Sequence, residues 1–402
     1  MKILLYGINY SPELTGIGKY SGEQARWLAS QGHDVRVVTA PPYYPHWQVG
    51  AGYSPWRYRT EQDHGVTVIR CPLYVPHQPT ALTRLLHLIS FCASSSLAVL
   101  GQLRWKPDLV MLVVPTLFCA PQALLLAKLS GARSVLHIQD YEVDAMFGLG
   151  LGGGSLLRRV AFGIERWLLR RFDRVSTIST GMLDKARGKG VHSQRLLFFP
   201  NWSETARFRQ VPRNCALLQR LGVPVGARVL LYSGNIGEKQ GLELILEAAK
   251  AHAQRAELVF LIVGEGTGKA RLLERVERDD LRNVLFAPLQ AYADLPALLA
   301  SADAHLVIQK RGVADAVLPS KLTNILAVGG NAIITADPGT TLGRLCEEHQ
   351  GIAVLIEPES VAALNAGIER VLALPARNEV ALNYAKEFLD KERILQRFLA
   401  QV

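Results

Sequence analysis

The feature that most constrains this chain is a pattern that begins twice. Short, continuous apolar runs alternate with longer stretches of helical periodicity. In the first half the runs 2–10, 34–40, 66–71, 109–114, 133–139, 174–178 and 196–199 read as strands, with helices near 18–31, 83–103, 117–130 and 155–172. After a weakly patterned stretch holding Pro212 and Pro224, strands are again expected at 227–233, 258–263, 283–287, 304–308, 332–335 and 352–356. Val-, Ile- and Leu-rich runs separated by helices describe parallel strands buried on both faces. The expected fold is therefore α/β, with two Rossmann-like domains at 1–205 and 226–385, a linker over 201–225, and a cleft where the carboxyl ends of the strands face each other. A length of 402 residues suits two such domains.

Charge narrows the partners. Lys and Arg number 45 against 35 acidic residues, a formal +10, which favours an anionic partner: nucleic acid, an acidic lipid surface or a phosphorylated substrate. Zinc-finger spacing, RNP-type aromatic runs and lysine-rich tails do not occur, so nucleic acid is disfavoured. Five scattered cysteines, Cys71, Cys92, Cys119, Cys215 and Cys346, lack a Cys-x-x-Cys pair and suggest a reducing cytoplasm. The opening MKILLYGINY enters a strand directly, without the pattern of a secretory signal.

Two segments bear on membranes. Between Ser155 and Arg174, the apolar Leu157, Val160, Ile164, Trp167 and Leu168 share one helical face, and Arg158, Arg159, Arg166 and Arg170 cluster opposite. That arrangement suits a helix lying on anionic headgroups, or equally a core-facing helix with solvated charges. Residues 85–103 lack charge but carry several serines and a histidine, which reads as a buried or membrane-resting helix rather than a spanning one.

Four loops follow strand ends, where such folds bind ligands. SPELTGIGKY supplies Gly16 and Gly18 before a helix, and YSGNIGEKQG supplies Gly234, Gly237 and Gly241 around Glu238 and Lys239. A strand, a glycine turn with a lysine and a helix start make a natural diphosphate seat, although a plain turn is the simpler reading of the first. VGEGTGKA fails as a P-loop, because Val263 stands where glycine is required and Ala270 where a hydroxyl would hold magnesium. Pro319 and Ser320 open a helix whose first turn holds Lys321, against the usual acidic preference there. His137 and Asp140 end a first-domain strand, with Glu142 and Asp144 behind them. One histidine with carboxylates is a poor zinc set, and no metal is expected.

Taken in order, PELTGIGKY, FDRVSTISTGM, LLFFPNWSE, YSGNIGEKQGLELIL, FLIVGEG and LPSKLTNILAVGG resemble the retaining GT-B glycosyltransferases of family four, within them the colanic acid branch. The resemblance implies that the second domain binds a sugar nucleotide, with GDP-fucose as donor and no other cofactor. Donor contacts would lie at Gly16, Gly18, Gly234, Asn235, Gly264, Pro319, Ser320 and Asn324. Lys239 and Lys321 would neutralise the departing diphosphate, and His137 and Asp140 would orient the sugar or the acceptor hydroxyl. It further implies a polyprenyl-diphosphate-linked saccharide acceptor on the first domain, a closing helix over 386–402 returning to that domain, and a peripheral location on the inner face of the cytoplasmic membrane. Two positions depart from the pattern. Asn235 stands where arginine is common, with Gln240 at the lysine position. Ala316 and Asn324 replace the paired glutamates, for which Asp315 or Asn324 would substitute. A non-catalytic sugar-nucleotide-binding scaffold and a dinucleotide-dependent oxidoreductase remain the alternatives, the latter without its G-x-G-x-x-G fingerprint.

Overall fold

A computed structural model describes residues 1–13, 16–77, 80–148, 155–208, 211–312 and 319–402. The chain forms two compact units, one of 1–200 with 395–402 and one of 201–394.

The first unit is built on an eight-stranded sheet: β1 (Lys2–Tyr6), β2 (Asp34–Thr39), β3 (Arg59–Asp63), β4 (Val66–Arg70), β5 (Leu109–Val114), β6 (Arg133–Ile138), β7 (Arg174–Thr177) and β8 (Leu196–Phe198). Their order is β3-β4-β2-β1-β5-β6-β7-β8. All neighbours are parallel except β3 with β4. Strand β5, LVMLVV, is buried at every position, as a central strand covered on both faces must be. Strand β3, RTEQD, went unread in the sequence because it has no apolar alternation. It is a largely exposed edge, held by its ladder to β4. Among the described residues of 1–200 the α-helices are α1 (Gly16–Ser30), α2 (Ala81–Leu100), α3 (Ala120–Ser130), α4 (Glu142–Gly148), α5 (Ser155–Leu169) and α6 (Thr180–Gly188), and the last helix, Lys391–Leu399, ends in this unit.

Helix α2 is long and apolar enough to cross a membrane by length and composition. It packs instead as part of the helical layer. Phe91 and Val99 are buried, Ser95 Oγ meets Tyr6 Oη at 2.6 Å, and Ser94 Oγ donates to the Pro72 carbonyl at 2.6 Å. These serines, which argued against a spanning helix, are its ties to the sheet. Leu82, Leu86, Ile89 and Leu97 remain exposed.

The second unit has a six-stranded parallel sheet: β9 (Arg228–Ser233), β10 (Leu258–Val263), β11 (Val284–Ala287), β12 (Ala304–Val307), β13 (Ala332–Thr335) and β14 (Val354–Ile356), in the order β11-β10-β9-β12-β13-β14. An apolar core lies on each face. The stretch 201–225, expected as a linker, is folded into this unit. Its short helices Thr205–Phe208 and Cys215–Arg220 bury Phe208, Leu217 and Leu218, and Thr205 Oγ1 donates to Asp390 Oδ2 at 2.5 Å. The chain rejoins the first unit at 395, later than expected, and there Phe398 stacks on Phe199 with centroids 4.1 Å apart.

Candidate functional site

Each unit carries a candidate site at the carboxyl ends of its strands. In the second unit the strand order reverses at β9 and β12, and the loop after β9 is drawn tight by close backbone packing. A Cβ on Gly264 would stand 2.0 Å from the Gly234 carbonyl oxygen, and one on Gly266 2.3 Å from that of Ile236. Ile236 N–H donates to Glu265 O at 2.9 Å and Gly268 N–H to Ile236 O at 2.9 Å. Gly264 therefore serves as backing for the Gly234 turn, where the sequence suggested a direct ligand contact. Several loop amides are also committed, Gly234 N–H to Val263 O at 3.0 Å and Gly237 N–H to Gln240 Oε1 at 3.2 Å. Among the described residues this leaves the Asn235 amide open.

Lys321 completes this seat. It lies in the first turn of the helix Ser320–Val328, which Pro319 precedes. Its Nζ sits 4.4 Å from the Tyr232 ring centroid, and its Cδ lies 3.8 Å from where a Gly234 Cβ would be. Tyr232 Oη donates to the Asn235 carbonyl at 2.6 Å, fixing both ring and turn. No described residue forms an ion pair with Lys321, and burial lowers its pKa to about 8. A desolvated cation beside a glycine turn, stabilised among the described residues by a ring face, is poised for an anion. Asn324, one turn on, accepts a 2.9 Å hydrogen bond from Ser203 Oγ, and Ser203 N–H donates to the Leu389 carbonyl. That bond ties Asn324 to the unit's own frame. The side chains of Lys239 and Ser320, and all of Asp315 and Ala316, lie outside the described residues.

In the first unit a cavity of about 620 Å³ opens at the ends of β1, β2, β5 and β6. Gly16, Trp47, Arg84, His87, Asp140 and Glu142 are in its wall. Gly18 is not: a Cβ there would meet Glu13 Oε2 at 2.4 Å. Glu13 is buried and accepts the Tyr43 and Tyr44 amides at 3.1 Å each, which fixes the aromatic loop under α1. Burial raises its pKa against those bonds. Asp140 is also raised by burial.

His137 and Asp140, grouped in the sequence, part company here. His137 is 3% exposed, its Nδ1–H donates to Ser176 Oγ at 2.9 Å, and its Nε2 accepts from Gln139 Nε2 at 3.0 Å. The ring packs edge-on against Phe199, and burial holds its pKa near 3. It is a neutral core histidine and does not line the cavity. The carboxylates that followed it also diverge. Glu142 Oε2 accepts from Leu117 N–H at 2.8 Å, while Asp144 pairs with Lys185 at 3.0 Å and Lys189 at 2.9 Å. Among the described residues no three potential ligands cluster for a metal.

The histidine that does face the cavity is His87, which the sequence reading passed over. Its Nδ1 donates to the Tyr74 carbonyl at 2.6 Å. Burial lowers its pKa to about 4, so at neutral pH Nε2 is a bare acceptor. Nε2 has no partner among the described residues, and neither does Glu142 Oε1. Trp47 and Tyr43 pack against the His87 ring at 5.2 and 4.7 Å, with Arg84 over Trp47 at 5.5 Å. Trp47 adopts φ 53°, an uncommon conformation for a bulky residue. The sequence signal was present in PPYYPHW and in the i, i+3 spacing of Arg84 and His87.

Comparison with known proteins identifies the architecture. Residues 15–202 match the glycosyl transferase 4-like domain and 216–388 the glycosyl transferases group 1 domain. The chain is 60% identical over 407 aligned residues to the colanic acid biosynthesis glycosyl transferase WcaI of Escherichia coli (strain K12), with all of both chains covered. The chain belongs to the GT-B glycosyltransferases. Its fold is shared by Anabaena Alr3699/HepE in complex with UDP, at TM-score 0.69 and 16% identity over 100% and 99% of the two chains. WaaG, a glycosyltransferase of lipopolysaccharide biosynthesis, aligns at TM-score 0.67 and 17% identity over 98% of each. In a glycosyltransferase of this architecture, the alternation of apolar runs read from the sequence corresponds to the parallel strands of the two sheets found here.

Proposed function

We propose that this glycosyltransferase moves L-fucose from GDP-fucose to a saccharide carried on a polyprenyl diphosphate, with retention of configuration, in assembly of a colanic acid type exopolysaccharide. The observation that carries the reading is Lys321, a desolvated cation over Tyr232 beside the Gly234 turn, with no ion-pair partner among the described residues. As the sugar–phosphate bond breaks, negative charge grows on the nucleoside diphosphate, and a preorganised cation there stabilises the transition state more than the bound donor. The acceptor hydroxyl attacks from the face the diphosphate leaves, through an oxocarbenium-like state, so no covalent enzyme nucleophile is needed. The pathway rests on the likeness to the colanic acid protein, and the sugar on the family resemblance of the sequence motifs alone. A nucleotide-sugar donor agrees with the UDP bound by HepE.

The acceptor half of the reading rests on the cavity of the first unit, whose aromatic walls and open polar atoms suit a saccharide. The placement on the inner face of the cytoplasmic membrane rests on α5. Leu157, Val160, Ile164 and Trp167 of the expected face, with Leu156 beside them, are exposed at 48–71%, and of that face Leu168 alone turns into the core. On the arginine face of the same helix, a shallow depression of about 470 Å³ is lined by Arg158, Arg159 and Arg166. Apolar side chains flanked by arginines suit an anionic bilayer surface.

The test is a donor screen with purified protein and a polyprenyl-diphosphate-linked glucose acceptor, with the product's anomeric configuration read by NMR. Transfer from GDP-fucose with retention is expected. Transfer from UDP-sugars alone would replace the donor, and an inverted product would overturn the retaining mechanism.

A further inference from the structure

The polar cavity of the first unit does not stand alone. A second cavity, of about 580 Å³, is walled by Phe118 before α3, by Met146 and Phe147 of α4, and by Val160, Ala161 and Ile164 of α5. Its lining is almost wholly apolar, and its size falls within the range of sites that enclose small organic ligands. Glu142 and Met146 belong to the walls of both cavities. One compartment thus offers Arg84, His87, Asp140 and aromatic faces, and the other, across Glu142 and Met146, offers hydrocarbon.

We propose that the first unit binds its acceptor as one amphiphile, with the saccharide-diphosphate end in the Trp47–His87 cavity and the isoprenoid chain in the groove between α3, α4 and α5. The assignment rests on the acceptor reading above and adds to it a site for the chain. Three observations carry it. The two compartments adjoin, with Glu142 and Met146 in the walls of both. In the wall of the polar compartment two buried acceptors, His87 Nε2 and Glu142 Oε1, have no partner among the described residues, on side chains 2% and 6% exposed, and saccharide hydroxyls are donors that suit them. The groove's outer wall is the same α5 stripe that leaves Leu157, Val160 and Ile164 exposed, so the groove opens where a chain would arrive from a bilayer. A bilayer lying flat on this face would touch that stripe, yet it would not fill a recess that reaches inward to Glu142 and Glu165. The floor is firm, because Phe147 stacks on Phe162 at 5.7 Å.

The experiment uses farnesyl diphosphate and isopentenyl diphosphate as probes of the full-length protein, with binding measured by calorimetry. Each methylene buried contributes roughly a fourfold gain in affinity, so the wild type should bind farnesyl diphosphate at least tenfold more tightly. Ala161→Trp fills the groove from a half-exposed helical position, and Ile164→Glu places charge in its wall. Both should erase the farnesyl advantage and leave isopentenyl diphosphate affinity and the thermal midpoint unchanged. An undiminished farnesyl advantage in both variants overturns the proposal. So does a loss of binding to anionic vesicles with unchanged farnesyl affinity, which would make the face a bilayer contact only. Chain-dependent binding without sugar transfer to any lipid-linked saccharide would support the groove while removing the functional reading. Transfer to a lipid-linked acceptor that Ala161→Trp leaves untouched would do the reverse.

Discussion

Lys321 shows how one residue can be placed by its neighbours. A lysine in the first turn of a helix opposes the helix dipole, and here desolvation adds to that cost. On the proposed function a bound diphosphate would offset both costs. Replacing Lys321 with alanine should lower kcat about a hundredfold, the usual cost of a lost preorganised charge. The thermal midpoint should hardly move, because the native state gains little from this charge. A near-normal rate in the folded variant would remove the role. The pKa gives a second test. Lys321 is charged below pH 8 and neutral above it, so kcat/KM should fall as pH rises through about 8. Lys321→Arg should carry that limb to higher pH. If lysine charge alone serves the leaving group, turnover should persist in excess EDTA, and full loss restored by magnesium or manganese would count against it. The histidines carry the opposite lesson. His137 and His87 are both buried and neutral, but His137 spends both ring nitrogens inside the core while His87 keeps one for the cavity. Sequence position at a strand end favoured His137. Only the side-chain partners separate the two.

At the scale of elements, the continuous apolar strands were legible because burial on both faces leaves a run of Val, Ile and Leu. Strand β3 was not, since an edge strand is held by backbone pairing that leaves no apolar signature. Helix α5 lay between these cases. Its stripe was visible, but which face turned inward was settled by ions. Glu165, 2% exposed, forms a close ion pair with Lys189 from the end of α6, and Lys189 also reaches Asp144 of α4. That buried network, with Leu168 and Leu169, draws one side of α5 inward and leaves the apolar stripe outside. Lys189→Met would strand the buried carboxylate of Glu165, while Asp144 keeps Lys185. Breaking such a pair costs about 3–5 kcal/mol, which for a unit of this size lowers the midpoint by roughly 6–20 °C. Scanning calorimetry would check it, and an unchanged midpoint would mean the pair does not hold α5. The glycine loops make a similar prediction. Gly264→Ala would drive a Cβ into the Gly234 carbonyl, so the turn must shift. Overpacking of this kind costs about 1–3 kcal/mol, and nucleotide binding by calorimetry should weaken with it.

For the molecule as a whole, the basic excess of +10 has a local expression. Arg158, Arg159 and Arg166 line one depression, and Arg171 lies over the Trp167 ring at 4.6 Å, beside the exposed stripe. A soluble surface seldom leaves this much contiguous hydrocarbon uncovered, and flanking it with arginines favours one cover, a bilayer carrying negative headgroups. Each basic side chain near such a surface contributes about 1 kcal/mol. Replacing Arg158, Arg159 and Arg166 with glutamine should therefore weaken partition onto phosphatidylglycerol-containing vesicles by about 3 kcal/mol, roughly a hundredfold. Binding to phosphatidylcholine vesicles should change little, and raising salt from low to physiological levels should reduce the difference, because these exposed charges are screened over about 8–10 Å. Ile164→Asp should weaken binding to both vesicle types, since it removes buried hydrocarbon irrespective of headgroup charge. Equal flotation of wild type and triple variant with anionic vesicles would show that the arginines do not face a membrane, and the peripheral location would fall while the diphosphate seat in the second unit stood.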